Sequence, residues 1–336
     1  LSEIFIVNFG TTLGKKSERL VIKEQGKVIG EIPFQDVTCL TIASRGVSLS
    51  SDVVLECIQH GIQINFLTPS GKPYAKITSP QLSGTVLTRR EQILAYKDGR
   101  GLALALAFID GKLRNQVNVL KYFGKYRRAS DAALYQELVT RIAAIEEIKK
   151  ELEGISDGTV EEARGNIFSI EGRAAQAYWE GVGLLLGQRI EFAGRERRGA
   201  EDPVNSALNY GYGILYSQVW GAVMLAGLEP FAGFLHTDRP GKPSLVLDLT
   251  EEFRACIVDR TVIGMILRGT AINQNEGSLT EETRRELARR ILERLDGEEN
   301  YEGKKYKMRS IVQRQARRVA AYLRGEGKYK PFIAGW

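Results

Sequence analysis

The apolar pattern of this chain changes period once. Up to residue 78 the hydrophobic residues come in short, β-branched runs; beyond Ser79-Pro80-Gln81-Leu82-Ser83-Gly84 they recur at helical spacing almost to the end. Strands followed by helices, rather than alternating with them, predict an α+β protein whose two kinds of structure are segregated. The 336 residues suffice for two domains. The expected organisation is a small N-terminal β-rich domain over residues 1–83, a larger all-helical domain over 84–325, and a flexible Gly/Lys-rich tail over 326–336.

Within the first part, Ile4 to Val7, Leu20 to Ile22, Val28 to Ile32, Val37 to Ile42, Ile62 to Leu67 and Tyr74 to Ile77 read as strands. Glu24-Gln25-Gly26-Lys27 reads as a hairpin turn. One short helix is expected after the serines at 48, 50 and 51, with Gly61 as its stop. His60, at the end of that helix, reads as structural. In the second part, Asp157 to Glu162 supplies a cap and an acidic first turn for one helix, and Asp202-Pro203 for another. Gly211 and Gly213 inside the latter permit a close approach at some cost in helix propensity.

The helix around Glu171 carries the sharpest signal. Helical spacing puts Ile167, Phe168, Glu171, Ala174, Ala175 and Tyr178 on one face, so a carboxylate sits among apolar and small side chains. Such a group needs a cation, either a metal ion or an arginine such as Arg173. A second stretch, Glu229 to Arg254, combines His236, an apolar run and the acids Asp248, Glu251 and Glu252. One imidazole with carboxylates suits Mg²⁺ or Mn²⁺, leaving positions for water and phosphate oxygens. A packed core histidine and an acidic helix start are the competing readings of the same residues. In the metal reading Glu251 is the ligand, Asp248 on the same helical face is a further ligand or the support of one, and Glu252 is solvated.

Charge is unevenly spread. Ten Lys/Arg stand against two Glu from Tyr301 to Trp336, and ten against three acids from Val86 to Arg128, although the whole chain carries only +6. That distribution suits a polyanion. No P-loop, dinucleotide fingerprint, nucleophile elbow or zinc-type cysteine pair is present. Cys39, Cys57 and Cys256 read as buried thiols of a reducing cytoplasm. No run approaches the length of a membrane span and no signal-peptide pattern is found, so a cytoplasmic protein without membrane contact is expected. The first residue is Leu, which leaves a trimmed, processed or fused chain open. Metal-assisted phosphoryl transfer on nucleic acid fits these features together.

Four runs then coincide with those of a known family: Ile170-Glu171-Gly172-Arg173-Ala174-Ala175; Asp202-Pro203-Val204-Asn205 before Tyr210-Gly211-Tyr212; Gly233-Phe234-Leu235-His236; and Leu247 to Arg254. Their order and spacing resemble the CRISPR spacer-acquisition integrases, the Cas-one family. The resemblance implies a β-domain used for dimerisation and a helical catalytic domain. It implies Glu171, His236 and Glu251 as catalytic metal ligands, with Asp248 at an often acidic position and Tyr216, Lys242 and Arg254 near DNA. It further implies a metal-dependent endonuclease and integrase, in which the 3′-OH of a spacer precursor attacks a phosphodiester of the CRISPR array. The implied partners are DNA, a second copy of the chain, a Cas-two dimer, and a fused or associated Cas-four-type nuclease or reverse transcriptase. A metal-dependent nuclease of branched or single-stranded DNA, and a non-catalytic DNA scaffold with Glu171 in a salt bridge, are the alternatives.

Overall fold

The first residues build two small sheets around one core. The computed structural model describes residues 2–79, 86–187, 189–196, 202–275 and 277–335. Its strands β1 (Ser2–Ile6), β2 (Thr12–Lys16), β3 (Arg19–Glu24), β4 (Lys27–Pro33), β5 (Val37–Ile42) and β6 (Ser48–Leu49) precede helix α1 (Ser51–Gln59) and strands β7 (Gln63–Leu67) and β8 (Pro73–Ile77). One sheet has the order β1-β5-β7-β8, parallel except for β8; the other has the order β4-β3-β2-β6, with β6 parallel to β2. Ile4, Leu13, Leu20, Leu40, Val53 and Ile64, drawn from both sheets and α1, form the shared core.

Local chemistry sets the boundaries. Gln25 and Gly26 both take positive φ, 48° and 78°, as a two-residue hairpin turn between β3 and β4 requires. The Ser50 hydroxyl accepts from Val53 N and caps α1, and Gly61 follows at φ 68°. β2 and β6 were not anticipated: β2 buries only Leu13 among polar residues, and β6 is two residues long.

The second part is largely helical, as expected; among the described residues it also carries two short ribbons. Helices α2 (Val86–Ala95), α3 (Gly99–Gly124), α4 (Ala132–Lys150), α5 (Val160–Leu186), α6 (Pro203–Leu225) and α7 (Ser244–Phe253) come first; a π-helical turn (Arg254–Asp259) joins α7 to α8 (Arg260–Leu267). The ribbon β9 (Gln274–Asn275) with β10 (Ser278–Leu279), helix α9 (Glu281–Asp296), the ribbon β11 (Glu298–Tyr301) with β12 (Lys304–Lys307), and α10 (Met308–Leu323) complete it. Thr159 and Glu162 form a capping box at α5, and Asp202 caps α6 with Pro203 in its first turn. None of the described helices is long and apolar enough to cross a membrane. The cysteines are buried and unpaired.

The two parts meet on glycine and on buried polar groups. A Cβ at Gly213 would lie 1.6 Å from Gly71 O, so α6 contacts the β7–β8 turn backbone to backbone. Glu3 receives Gln218 Nε2 at 2.9 Å and Arg309 Nη1 at 3.5 Å across the same seam. The expected boundary at residues 83 and 84 lies outside the described residues.

The segment expected to be a flexible tail is instead packed. Phe332 and Ala334 are buried, and Phe332 stacks on Phe253 with ring centres 5.7 Å apart. Its main chain is held by side chains: Phe332 N donates to Glu252 at 3.0 Å, and Asn115 donates to Phe332 O and accepts from Ala334 N, both at 2.8 Å. Glu252 is therefore not solvated, as the sequence reading had it. It is fully buried, accepts also from Gln315 at 2.9 Å and from the Tyr329 hydroxyl, and burial pushes its carboxyl up to about 7.

Candidate active site

Three helices and one loop bring the acidic residues and the histidine together. On α5 the buried face runs through Ile167, Ile170, Ala174 and Tyr178, and Glu171 lies within it. On α7 Asp248 and Glu251 sit among Leu245, Leu249 and Phe253, and both acids are buried. Packed against both helices is α3, whose buried face includes Lys112.

The Lys112 ammonium contacts both carboxylates. It donates to Glu171 Oε1 and lies 2.7 Å from Glu251 Oε2. Glu251 Oε1 is held by Arg254 Nη1 at 2.6 Å, and the Arg254 guanidinium lies over the Tyr212 ring at 4.3 Å. Arg173, the neighbouring arginine considered from sequence as a partner for Glu171, instead pairs with Glu151 at 2.6 Å. Burial raises the Glu251 carboxyl, but Arg254, Lys112 and His236 outweigh it and hold the group well below the usual carboxylate range. Buried Glu251 Oε2 meets the Lys112 ammonium. Its contact with Lys112 is that of an ion pair.

His236 enters from the loop between α6 and α7. Asp248 Oδ1 accepts from His236 N at 2.9 Å and faces His236 Nδ1 at 2.7 Å, while Oδ2 accepts from Phe234 N at 2.6 Å and Leu235 N at 3.0 Å. A carboxylate only accepts, so the Nδ1 position carries the proton and the lone pair is left on Nε2. The ring meets Phe168 edge-on at 6.0 Å. Gly233 is required here: a Cβ would come within 2.5 Å of the Ser244 carbonyl carbon and 2.6 Å of Leu245 N.

The fit is not closed for an ion. Among the described residues, the acid–histidine group whose ligand atoms all lie within 4.8 Å of one another is Glu18, Glu56 and His60, not Glu171, His236 and Glu251. In that group Lys15 already pairs with Glu56, and His60 stacks on Phe34 at 6.0 Å.

Of the residues expected near DNA, Arg254 faces Glu251 and Tyr212. Tyr216 is half-buried on α6, edge-on to Trp220 at 5.7 Å, and burial pushes its phenol up. Lys242 closes the turn that begins at Arg239, its N donating to Arg239 O at 2.9 Å.

Sequence reasoning missed the partners of these groups. Lys112, Arg195, Arg254, Tyr212 and Asp259 line a small cavity of about 30 Å³, and a groove of about 950 Å³ bounded by Arg141, Trp179 and Phe192 shares Arg195 with it. Asp259 accepts from Tyr178 at 2.9 Å and from Tyr212, and burial pushes it up to about 6. Lys112 was findable: it follows Ala105, Phe108 and Ile109 on α3 at the spacing that exposed Glu171 on α5.

The comparisons with known proteins agree on one family. The model of "CRISPR associated protein Cas1" matches residues 4–293. A CRISPR-associated endonuclease Cas1 of Archaeoglobus fulgidus is 36% identical over 345 residues, covering 99% of each chain. Among solved structures, a casposase bound to integration product superposes with TM-score 0.83 at 23% identity over 99% of this chain and 93% of that one. A Cas6-RT-Cas1–Cas2 complex gives 0.78 at 17% identity, over 99% of this chain and 36% of that one. These last two show that the fold is shared. With the family model matching most of its length and a full-length relative above 30% identity, the chain belongs to the Cas1 family of CRISPR-associated proteins.

Proposed function

We propose that this chain is a metal-dependent DNA integrase and endonuclease that inserts spacer precursors into a CRISPR array by transesterification. The observation that carries the reading is the convergence of Glu171 and Glu251, both buried and from different helices, on one cation beside a histidine fixed by Asp248. The Lys112 ammonium stands in for a metal there, and the donor set of two carboxylates and an imidazole suits Mg²⁺ or Mn²⁺. Glu171, His236 and Glu251 would hold the ion, which supplies Lewis-acid polarisation of a phosphodiester and a lowered pKa for the attacking 3′-OH.

The chain's own groups have defined parts in this. Asp248 keeps the Nδ1 proton in place and so presents the Nε2 lone pair as a ligand. Lys112 and Arg254 balance the carboxylates before substrate arrives, and Arg254 with Arg195 places positive charge at the adjoining cavity, where a phosphate would enter. Tyr216 and Lys242 serve as DNA contacts in this reading. The working assembly in this reading is a dimer through the β-rich part, bridged by a Cas2 dimer; the fold shared with a Cas6-RT-Cas1–Cas2 complex supports Cas2 as a partner.

The test is strand joining. Purified protein with its Cas2 partner, Mn²⁺ and a duplex bearing 3′-OH ends should insert into a repeat-containing plasmid. His236→Ala should abolish joining, and full joining by that variant would overturn the site. A second reading has a specific observation behind it: Glu171 is ion-paired to Lys112, as a non-catalytic DNA scaffold requires. Equal Mn²⁺ binding by the wild type and Glu171→Ala, with no joining by either, would favour it.

A further inference from the structure

The loop carrying His236 is gripped from two sides. Asp248 of α7 takes the amides of Phe234, Leu235 and His236. Arg164 of α5 takes the carbonyls: its Nε donates to Leu235 O at 3.0 Å and its Nη2 to Phe234 O at 3.1 Å. The same Nη2 donates to the Tyr96 hydroxyl at 3.0 Å, and the guanidinium lies 5.7 Å from the Tyr96 ring centre. An anion on the amides and a cation on the carbonyls align with the peptide dipoles of one short segment, and charge-assisted bonds of this kind are the strong ones. Between them Phe234 is fully buried, its ring so near α3 that a Cβ at Gly101 would come within 2.9 Å of it.

The arrangement repeats on the two helices. Arg164 and Glu171 are seven residues apart on α5, two turns along one face, and Asp248 and Glu251 are three apart on α7. Each helix that supplies a carboxylate therefore also fastens the histidine loop. We infer that Arg164 is a positioning residue for His236, fixing the imidazole relative to both Glu171 and Glu251. Its value for catalysis rests on the proposed metal site, but the positioning itself does not.

The imidazole can be observed directly, because the chain contains only two histidines, His60 and His236. Histidine-labelled protein, assigned with a His60→Gln variant, should show His236 as a single Nδ1–H tautomer in the absence of metal and DNA. In Arg164→Gln the expected result is a mixed or exchange-broadened tautomer, with Mn²⁺ affinity lowered on the order of tenfold and the KM for DNA unchanged. An ammonium reaches fewer of the three acceptors, so Arg164→Lys should fall between the two. An unchanged tautomer in Arg164→Gln overturns the inference. If that variant does not fold, an unchanged tautomer in Arg164→Lys does so. The spectrum involves neither metal nor DNA, so failure of the metal site would appear separately, as joining by His236→Ala.

Discussion

Replacing Asp259 with asparagine should stabilise the protein at alkaline pH and much less at acid pH. Asp259 is buried, accepts from the Tyr178 and Tyr212 hydroxyls, and is pushed by burial from an ordinary 3.8 up to about 6, against the pull of both tyrosines and of Arg254 and Arg195. Because the folded value lies above the unfolded one, the folded protein keeps a proton that the unfolded chain has released. Stability is therefore lost as pH rises from about 4 through 6, and is level beyond that. The full effect is about 3 kcal/mol, of which about 1.5 kcal/mol falls between pH 5 and 8. Asn mimics the protonated acid: its oxygen accepts from one tyrosine and its NH₂ can donate to the other hydroxyl. Urea unfolding of wild type and Asp259→Asn at pH 5 and pH 8 measures the difference, and shared titrations elsewhere cancel between the two proteins. The variant should gain about 1.5 kcal/mol on the wild type between those conditions. A constant difference, or a variant that loses ground at pH 8, would refute the view that Asp259 carries an uncompensated burial cost.

Two further substitutions probe the packing of the site and of the seam. Lys112→Met leaves Glu171 and Glu251 buried against Arg254 alone and should cost about 3–5 kcal/mol without divalent ions; Mn²⁺ should then raise its melting temperature more than that of the wild type, and equal shifts would remove Lys112 from the role of stand-in cation. Gly213→Ala forces a methyl into Gly71 O and should cost about 3 kcal/mol, read as a lowered urea midpoint; a midpoint equal to wild type would mean that α6 and the β7–β8 turn separate freely.

How far the sequence could be read depended on the range of the interaction. The change of period at Ser79 gave the α+β order, and Ser50, Thr159, Asp202 and Gly26 marked element ends because caps and turns act over a few residues. The packed C-terminal segment escaped because its partners are far away in sequence. Asn115 binds main chain 217 and 219 residues on, and Glu252 binds Phe332 N 80 residues on. Gly, Lys and Pro in that segment suit a loose tail equally well. Nothing local says that Glu252 would be covered while adjacent to a residue read as a metal ligand. The strand Lys304–Lys307 was hidden in the same way, since its basic residues pass equally for the start of α10.

The two sequence-based readings of Glu171, ion pair or metal ligand, are less opposed than they looked. Both follow from one physical fact, that a carboxylate on a buried face demands a positive charge nearby. Lys112 meets that demand within the folded chain, and it meets the same demand from Glu251. With Arg254 the cluster holds two acids and two bases, a neutral set that can be buried without an ion. On the proposed function the chain folds before it meets a metal and DNA, and so needs such a set. Lys112 is suited to it, because its flexible four-carbon stem lets the ammonium withdraw where a rigid guanidinium fork would stay. The apolar face around Glu171 thus encodes the need for a cation, while which cation fills it depends on α3 and on what the site has bound.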